Sequence, residues 1–421
     1  MCDIMILRKN GYTYFAKNSD REPGEAQLVV RIQPAVNDKS AKIKTTYLEI
    51  NQTKDRFGVI LSKPFWIWGA EMGANDQGVV IGNTAIFSKV QEKTNGLIGM
   101  DLLRLGLERG SSAKHALNEI TNLLQKYGQG GVCGYYDKSL RYDNSFIIAD
   151  ANEAWVLEAV NRHWVAKKVD IFAATSNCMT IGTDFDLKSD GIEDFAKQRG
   201  LFSGKGDFDF TKAFDTRFIP FFARSKQRLA TSISSLRKTY EAPEIKSADI
   251  MNILRCHQSF STSHYARTNS DTCMHMAGYI RRSQTCGSMV SFINATKSTH
   301  FFTGTSAPCL SIFKPVNFNY LEEFCVLNKD EFTVKDSIWQ RHEHIHRRII
   351  LNPNDRDELL KSRDDAENKI HACFDLQSYD KICFQWENHW YEHFRKKPFC
   401  YSPLSFYSQI WRRLNKVDSI E

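Results

Sequence analysis

The order of strand-like and helix-like segments predicts a layered α+β fold, with sheets packed on sheets and helices covering the outside. Three observations carry this expectation. The first ninety residues read almost entirely as strands and turns, and the hydrophobic period becomes helical between Met100 and Tyr127. Both patterns then recur, as strands over 145–169 and 287–303 and as helices over 190–260 and 334–374. With 421 residues, 42% hydrophobic and 12% aromatic, the chain has material for a large core, which excludes disorder as its main state.

Taken in order, Asp3–Lys9 and Tyr12–Lys17 flank Asn10-Gly11, the dipeptide that favours a two-residue hairpin turn. Ala26–Ile32, Lys44–Ile50, Gly58–Ser62 and Gly78–Phe87 follow as strands. Leu102, Leu103, Leu105, Leu107, Ala116, Leu117, Ile120, Leu123 and Leu124 recur at helical spacing. The pattern breaks near Gly110-Ser111-Ser112, where a serine can cap a second helix. Gly128–Gly134 reads as a loop, and Ser145–Ala149, Ala154–Val160 and Trp164–Val169 read as strands. Polar helices are expected at Arg224–Lys238 and Ala248–His257, and strands return at Gly287–Ile293 and His300–Thr303. Val334–Phe374 is charged and helical, interrupted at Asn352-Pro353-Asn354. From Phe384 to Trp411 aromatics mix with Lys and Arg in no clear period; packing is the better reading there than a partner-binding surface or a membrane-interface segment.

The net charge of +7 comes from 56 basic and 49 acidic residues that are interspersed, so a solvated surface and no nucleic-acid binding are expected. No window supplies the ~18 consecutive apolar residues of a membrane span, so no stable membrane insertion is expected. The N-terminus, with an early Asp3, does not read as a signal peptide. Eleven scattered cysteines with no CxxC pair fit reduced thiols and a cytoplasmic location. His342-Glu343-His344-Ile345-His346 fits H-E-x-x-H formally, but its charged surroundings favour a solvated helix. Cys256, His257, His264, Cys273 and His275 have mixed spacings and no finger pattern. Neither group is read as a metal site, and no cofactor is expected.

The residue that suggests chemistry is Cys2. Removal of Met1 would leave a thiol and a free α-amine on one residue, and an amine of pKa near ~8 can serve as a base near neutrality. N-terminal nucleophile enzymes activate themselves in this way, without a histidine. A Cys–His pairing with His257, His264 or His275 stays open from spacing alone.

The blocks around Cys2 carry a resemblance. Met1-Cys2-Asp3, Phe15-Ala16-Lys17-Asn18-Ser19-Asp20-Arg21-Glu22-Pro23, Tyr47-Leu48-Glu49-Ile50, Trp68-Gly69-Ala70-Glu71-Met72-Gly73-Ala74-Asn75 and Gly82-Asn83 stand in that order. Gly99–Arg109, Tyr127–Gly131, Asn144–Asp150, Glu153–Glu158, Gly287–Val290 and Phe301–Thr305 continue the series. Together they resemble secernins and the dipeptidase family C69, densely over 1–170 and more loosely to about 315. The resemblance implies an N-terminal nucleophile hydrolase fold, an αββα four-layer sandwich, over 1–315. A charged helical extension would occupy 316–374, with an aromatic-rich tail at 375–421.

It also implies a cysteine-type dipeptidase or related amide hydrolase acting on small peptide or amide substrates, with a homo-oligomer possible. Cys2 would be the nucleophile and its amine the base, and Asp20 would orient the amine or thiol. Lys17 would lower the thiol pKa. Asn83 would help form the oxyanion hole, and Asn177 matches a second asparagine of the site. A late arginine is expected, with Arg267, Arg281 and Arg282 all open. Asn18 and Asp20 could otherwise be turn formers, and Trp66-Ile67-Trp68 reads as core or pocket wall. The rival reading from the same resemblance is a catalytically silent regulatory or binding protein linked to exocytosis.

Overall fold

The computed structural model describes residues 1–216, 218–257, 269–278, 282–318, 337–372 and 376–421. His264, Arg267, Arg281 and Cys325 lie outside the described residues.

The first hairpin forms as its turn dipeptide demands. β1 (Cys2–Lys9) pairs antiparallel with β2 (Tyr12–Arg21), and Asn10 and Gly11 both take positive φ, 53° and 76°. β2 runs on to Arg21, so Asn18 and Asp20 are strand residues and not turn formers. Alternation along β1 sends Ile4 and Ile6 into one apolar cluster and Met5 and Leu7 into another, so this strand is covered on both faces.

Two sheets result. The larger draws on β3 (Gln27–Ile32), β6 (Val59–Pro64), β7 (Met72–Asn75) and β8 (Val80–Ile86). β9 (Asp143–Ala149), β10 (Ala154–Val160), β11 (His163–Lys168) and β13 (Leu187–Lys188) complete it, in the order β13-β11-β10-β9-β8-β7-β6-β3. The smaller adds β12 (Phe172–Thr175), β14 (Gln284–Ile293), β15 (Ser298–Phe302) and β16 (Lys314–Val316) to the hairpin, in the order β12-β1-β2-β14-β15-β16. The expected strand over Lys44–Ile50 is instead a small ribbon, β4 (Lys42–Lys44) with β5 (Glu49–Asn51), because the chain reverses between them, where the Thr45 N–H bonds the Leu48 carbonyl.

Four layers stack. Ile4, Ile6 and Phe15 of one sheet meet Met72, Val80, Ile147 and Val156 of the other. The outer face of the larger sheet (Leu61, Ile81, Phe146, Ile148 and Leu157) carries the leucines of α1 (Gly99–Arg109) and α2 (Ala113–Tyr127). Ser112 caps α2, accepting from the His115 N–H at 3.1 Å. α3 (Ile192–Gln198), α4 (Phe210–Phe214) and α5 (Phe218–Phe222) lead to α6 (Ser225–Glu241) and α7 (Ser247–Leu254). Leu236, Ile250, Met251 and Leu254 of the last two cover Met5, Leu7, Ala16 and Val290 on the far face of the smaller sheet. The fold is a four-layer αββα sandwich, the α+β architecture expected from the sequence.

The C-terminal helices α8 (Ile338–Leu351), α9 (Arg356–Ala372), α10 (Leu376–Arg395) and α11 (Phe406–Val417) depart from expectation in two ways. The helix of His342–His346 is buried, with His342, Glu343, His346 and Arg347 all fully covered. Arg347 pairs with Glu343 at 2.6 Å and Asp418 at 2.7 Å, and His342 with Glu387 at 2.7 Å, so its charges are matched inside the protein. The aromatic segment does have a period: Trp386, Trp390 and Phe394 fall four apart on α10 and pack against Leu310, Ile312, Ile345 and Ile349. Among the described residues no helix is long and apolar enough to cross a membrane.

Candidate active site

Cys2 opens β1 at the head of the smaller sheet, opposite Ser19 on β2, and is 6% exposed. Its partners divide into two sets because neighbouring side chains of paired strands alternate. Lys17, Ser19 and Arg21 share the face of Cys2 and Ile4 between the sheets, while Asp3, Asn18 and Asp20 face the α6–α7 layer.

On the first face, the Cys2 thiol donates to Glu71 Oε2 at 3.8 Å. Lys17 Nζ lies 3.5 Å from the same oxygen, and Arg21 Nη1 donates to Glu71 Oε1 at 2.8 Å. Burial alone would raise the Glu71 carboxyl, but Lys17 and Arg21 hold it below its ordinary value. Arg21 is fixed further by Glu25 at 2.7 Å and the Cys133 carbonyl at 2.6 Å. Burial pushes the Cys2 thiol up; Lys17 opposes this, and Glu71 adds to it. Lys17 lowers the thiol as expected, but desolvation outweighs this cation, whose charge Glu71 matches, and the net shift is upward.

On the second face, the Cys2 N–H donates to Asn177 Oδ1 at 2.7 Å. Asn177 follows β12 in the left-handed region, φ 58°, and is fully committed: its Oδ1 also accepts from Arg228 Nη2 at 2.7 Å. Its Nδ2 donates to Thr84 Oγ1 at 2.9 Å and the Ala85 carbonyl at 3.0 Å. Arg228, fully buried on α6, pairs with Asp3 at 3.2 Å. The Met1 amine donates to the Asp20 carbonyl at 2.8 Å. The Asp20 side chain accepts from Thr285 Oγ1 at 2.6 Å through Oδ1, and its buried Oδ2 has no hydrogen-bond partner among the described residues. Burial raises the Asp20 carboxyl to about 6, partly offset by the chain-start amine. A bulge between Thr285 and Gly287 sets Thr285 opposite Asp20.

The structure thus gathers Cys2, Lys17, Asp20 and Asn177 around the chain start and places Asn83 elsewhere. A side chain at Gly82 would meet Lys17 and Phe15, so the next residue turns to the opposite face, toward α1. There Asn83 Nδ2 donates to Asn144 Oδ1 at 3.1 Å and the Ser145 carbonyl at 3.2 Å. The β8 side chain that reaches the site is Thr84. Arg282 is exposed and pairs with Asp137 at 3.8 Å; the arginine at the site is Arg228. No sequence signal marked it, because Ser225, Arg228 and Ser232 are polar residues that turn inward only once α6 packs on the smaller sheet. Among the described residues no imidazole bonds the Cys2 thiol, so the Cys–His alternative gains no support from geometry. Two surface clefts, about 160 and 660 Å³, lie among the C-terminal helices and are lined by no residue of this cluster.

Residues 62–233 match the model of peptidase family C69. The chain is similar in structure to penicillin V acylase from Agrobacterium tumefaciens, with a TM-score of 0.43 at 12% identity over 76% of this chain and 87% of that one. A variant of the conjugated bile acid hydrolase from Clostridium perfringens gives 0.43 at 13% identity, over 76% and 94%. An N-acylethanolamine-hydrolyzing acid amidase ortholog from Caenorhabditis elegans gives 0.35 at 10%, over 69% and 92%. Two sheets stacked between helical layers, with a cysteine heading the first strand of the smaller sheet, are the frame in which the residues that match the C69 model lie.

Proposed function

We propose that the chain is a cytoplasmic, secernin-like cysteine dipeptidase whose nucleophile is Cys2, freed by removal of Met1. The observation that carries this reading is the double hold on Cys2: its nitrogen on Asn177 at 2.7 Å and its thiol on Glu71 at 3.8 Å. With Met1 gone, the nitrogen becomes an amine still positioned by Asn177, and the open Oδ2 of Asp20 becomes an acceptor for its protons. The amine takes the thiol proton as Sγ attacks the substrate carbonyl carbon. The same proton passes to the leaving amine as the C–N bond breaks, giving a thioester that water then hydrolyses.

The size of the substrate follows from what Met1 occupies. It is one residue with a free α-amine, held by the Asp20 carbonyl at 2.8 Å and with its sulfur 3.6 Å from Arg228. Its departure leaves room for the N-terminal residue of a dipeptide. The described cysteines are free thiols, which supports a reducing compartment.

The test is hydrolysis of a dipeptide panel by protein whose intact mass shows Met1 removed, against Cys2→Ala. A loss of at least about a thousandfold is expected; equal rates would overturn the proposal.

A further inference from the structure

Beside the smaller sheet four side chains of metal-binding type converge: His257, Cys273, His275 and Cys309. Their ligand atoms all lie within 4.8 Å of one another, and all four residues are buried. His257 follows α7, Cys273 and His275 flank Met274, and Cys309 comes from the turn between β15 and β16. Spacing alone missed the set because Cys309 stands 34 residues beyond His275. Cys256 is not one of the four.

The separations fit one ion. A tetrahedral zinc with bonds of ~2.0–2.1 Å to nitrogen and ~2.3 Å to sulfur has ligand–ligand edges of about 3.3 Å (N–N) and about 3.6 Å (N–S). Here His257 Nε2 and His275 Nε2 are 3.1 Å apart. Cys309 Sγ and Cys273 Sγ lie 3.4 and 3.7 Å from His275 Nε2. Both imidazoles present the same ring nitrogen to the same point. The other nitrogen of His275, Nδ1, lies 3.4 Å from His346 Nε2, and His346 Nδ1 lies 3.6 Å from Glu343. A partner on Nδ1, as His346 is here, fixes the tautomer of a ligating histidine. Two thiolates would neutralise a divalent cation in a dry interior, where an unbalanced charge is costly.

We propose that His257, Cys273, His275 and Cys309 bind a structural zinc ion. The ligand set is closed, with four protein donors and no open position, so the ion is a staple and not a reaction centre. Binding to the two thiols releases two protons to solvent. The staple ties the end of α7, the 273–275 segment and the 307–310 turn together beneath the residues that hold the chain start. Met274 N–H donates to Thr285 Oγ1, which itself donates to Asp20, and Asn18 Nδ2 donates to the carbonyls of Leu254 and Thr272.

The experiment is elemental analysis of tag-free full-length protein purified under reducing conditions. One zinc per chain is expected, falling to less than about a tenth of that in Cys309→Ser and His275→Gln, and His346→Phe should weaken affinity ~10–100-fold. Should those variants fail to fold, wild-type protein reloaded with cobalt decides: it is expected to show the intense visible bands of a tetrahedral cobalt–thiolate site. Wild-type protein that neither holds zinc nor takes up cobalt would overturn the proposal. Zinc retained in both Cys273→Ser and Cys309→Ser, or a Cys273–Cys309 disulfide in native metal-free protein, would do the same.

Discussion

At the residue scale, the Cys2 site places a buried thiol against a carboxylate that two cations keep ionised. The negative charge of Glu71 raises the thiol, so Glu71→Gln should let the thiolate form at lower pH. The pH dependence of Cys2 alkylation, followed by mass spectrometry, is expected to shift downward in that variant; an unchanged or upward shift would refute the assignment. Asn177→Ala strips hydrogen bonds from the Cys2 nitrogen, Arg228 and Thr84 at once and puts alanine at φ 58°. It should cost about 2–4 kcal/mol in urea unfolding. Cys2 was legible from its own chemistry, the thiol and amine that removal of Met1 would leave on one residue, whereas Lys17, Asp20 and Asn177 were reached only through the family resemblance. Glu71 and Arg228 were not legible, since their partnership with the first hairpin exists only once β7 and α6 have packed on it.

At the element scale, close approach decides what a position tolerates. A Cβ on Gly69 would stand 2.2 Å from the Met100 backbone at the start of α1, where neither chain can give way. Gly69→Ala should destabilise by about 3 kcal/mol or more, read from the urea midpoint. The β14–β15 pair carries a buried histidine: His300 Nδ1 meets Ser291 Oγ at 2.8 Å, and burial lowers its pKa from 6.5 to about 4. A lowered histidine pKa means the unfolded chain binds the proton more readily, so stability is complete above pH 6.5 and is lost as pH falls toward 4. Wild type should lose up to about 3 kcal/mol more than His300→Phe across that interval. Element boundaries were readable wherever local chemistry sets them, as at Asn10-Gly11 and Ser112. The burial of α8 was hidden because its charges are matched by Glu387 and Asp418, supplied from far along the chain.

At the scale of the whole molecule, the C-terminal helices belong to the core. Trp390 is 1% exposed in the cluster that includes Leu310 and Ile345, and Trp390→Ala should cost about 3–5 kcal/mol. Ending the chain at residue 375 would also remove Glu387, the buried partner of His342, and Asp418, a counter-charge of Arg347, and should leave the protein insoluble; a soluble, cooperatively unfolding truncation would contradict this.

The topology has a further consequence during synthesis. The strand that begins at Cys2 lies between β2 and β12, and β2 lies against β14, so the sheet holding the chain start cannot close until residues 172–175 and then 284–293 have been made. At ~5–20 residues per second, β12 emerges on the order of ten to thirty seconds after Met1. During that interval the initiator methionine is accessible on the nascent chain, whereas in the folded protein its amine is tied to Asp20. If the proposed mechanism holds, methionine excision that came after folding would meet an amine already tied to Asp20, and those molecules would keep Cys2 without a free amine.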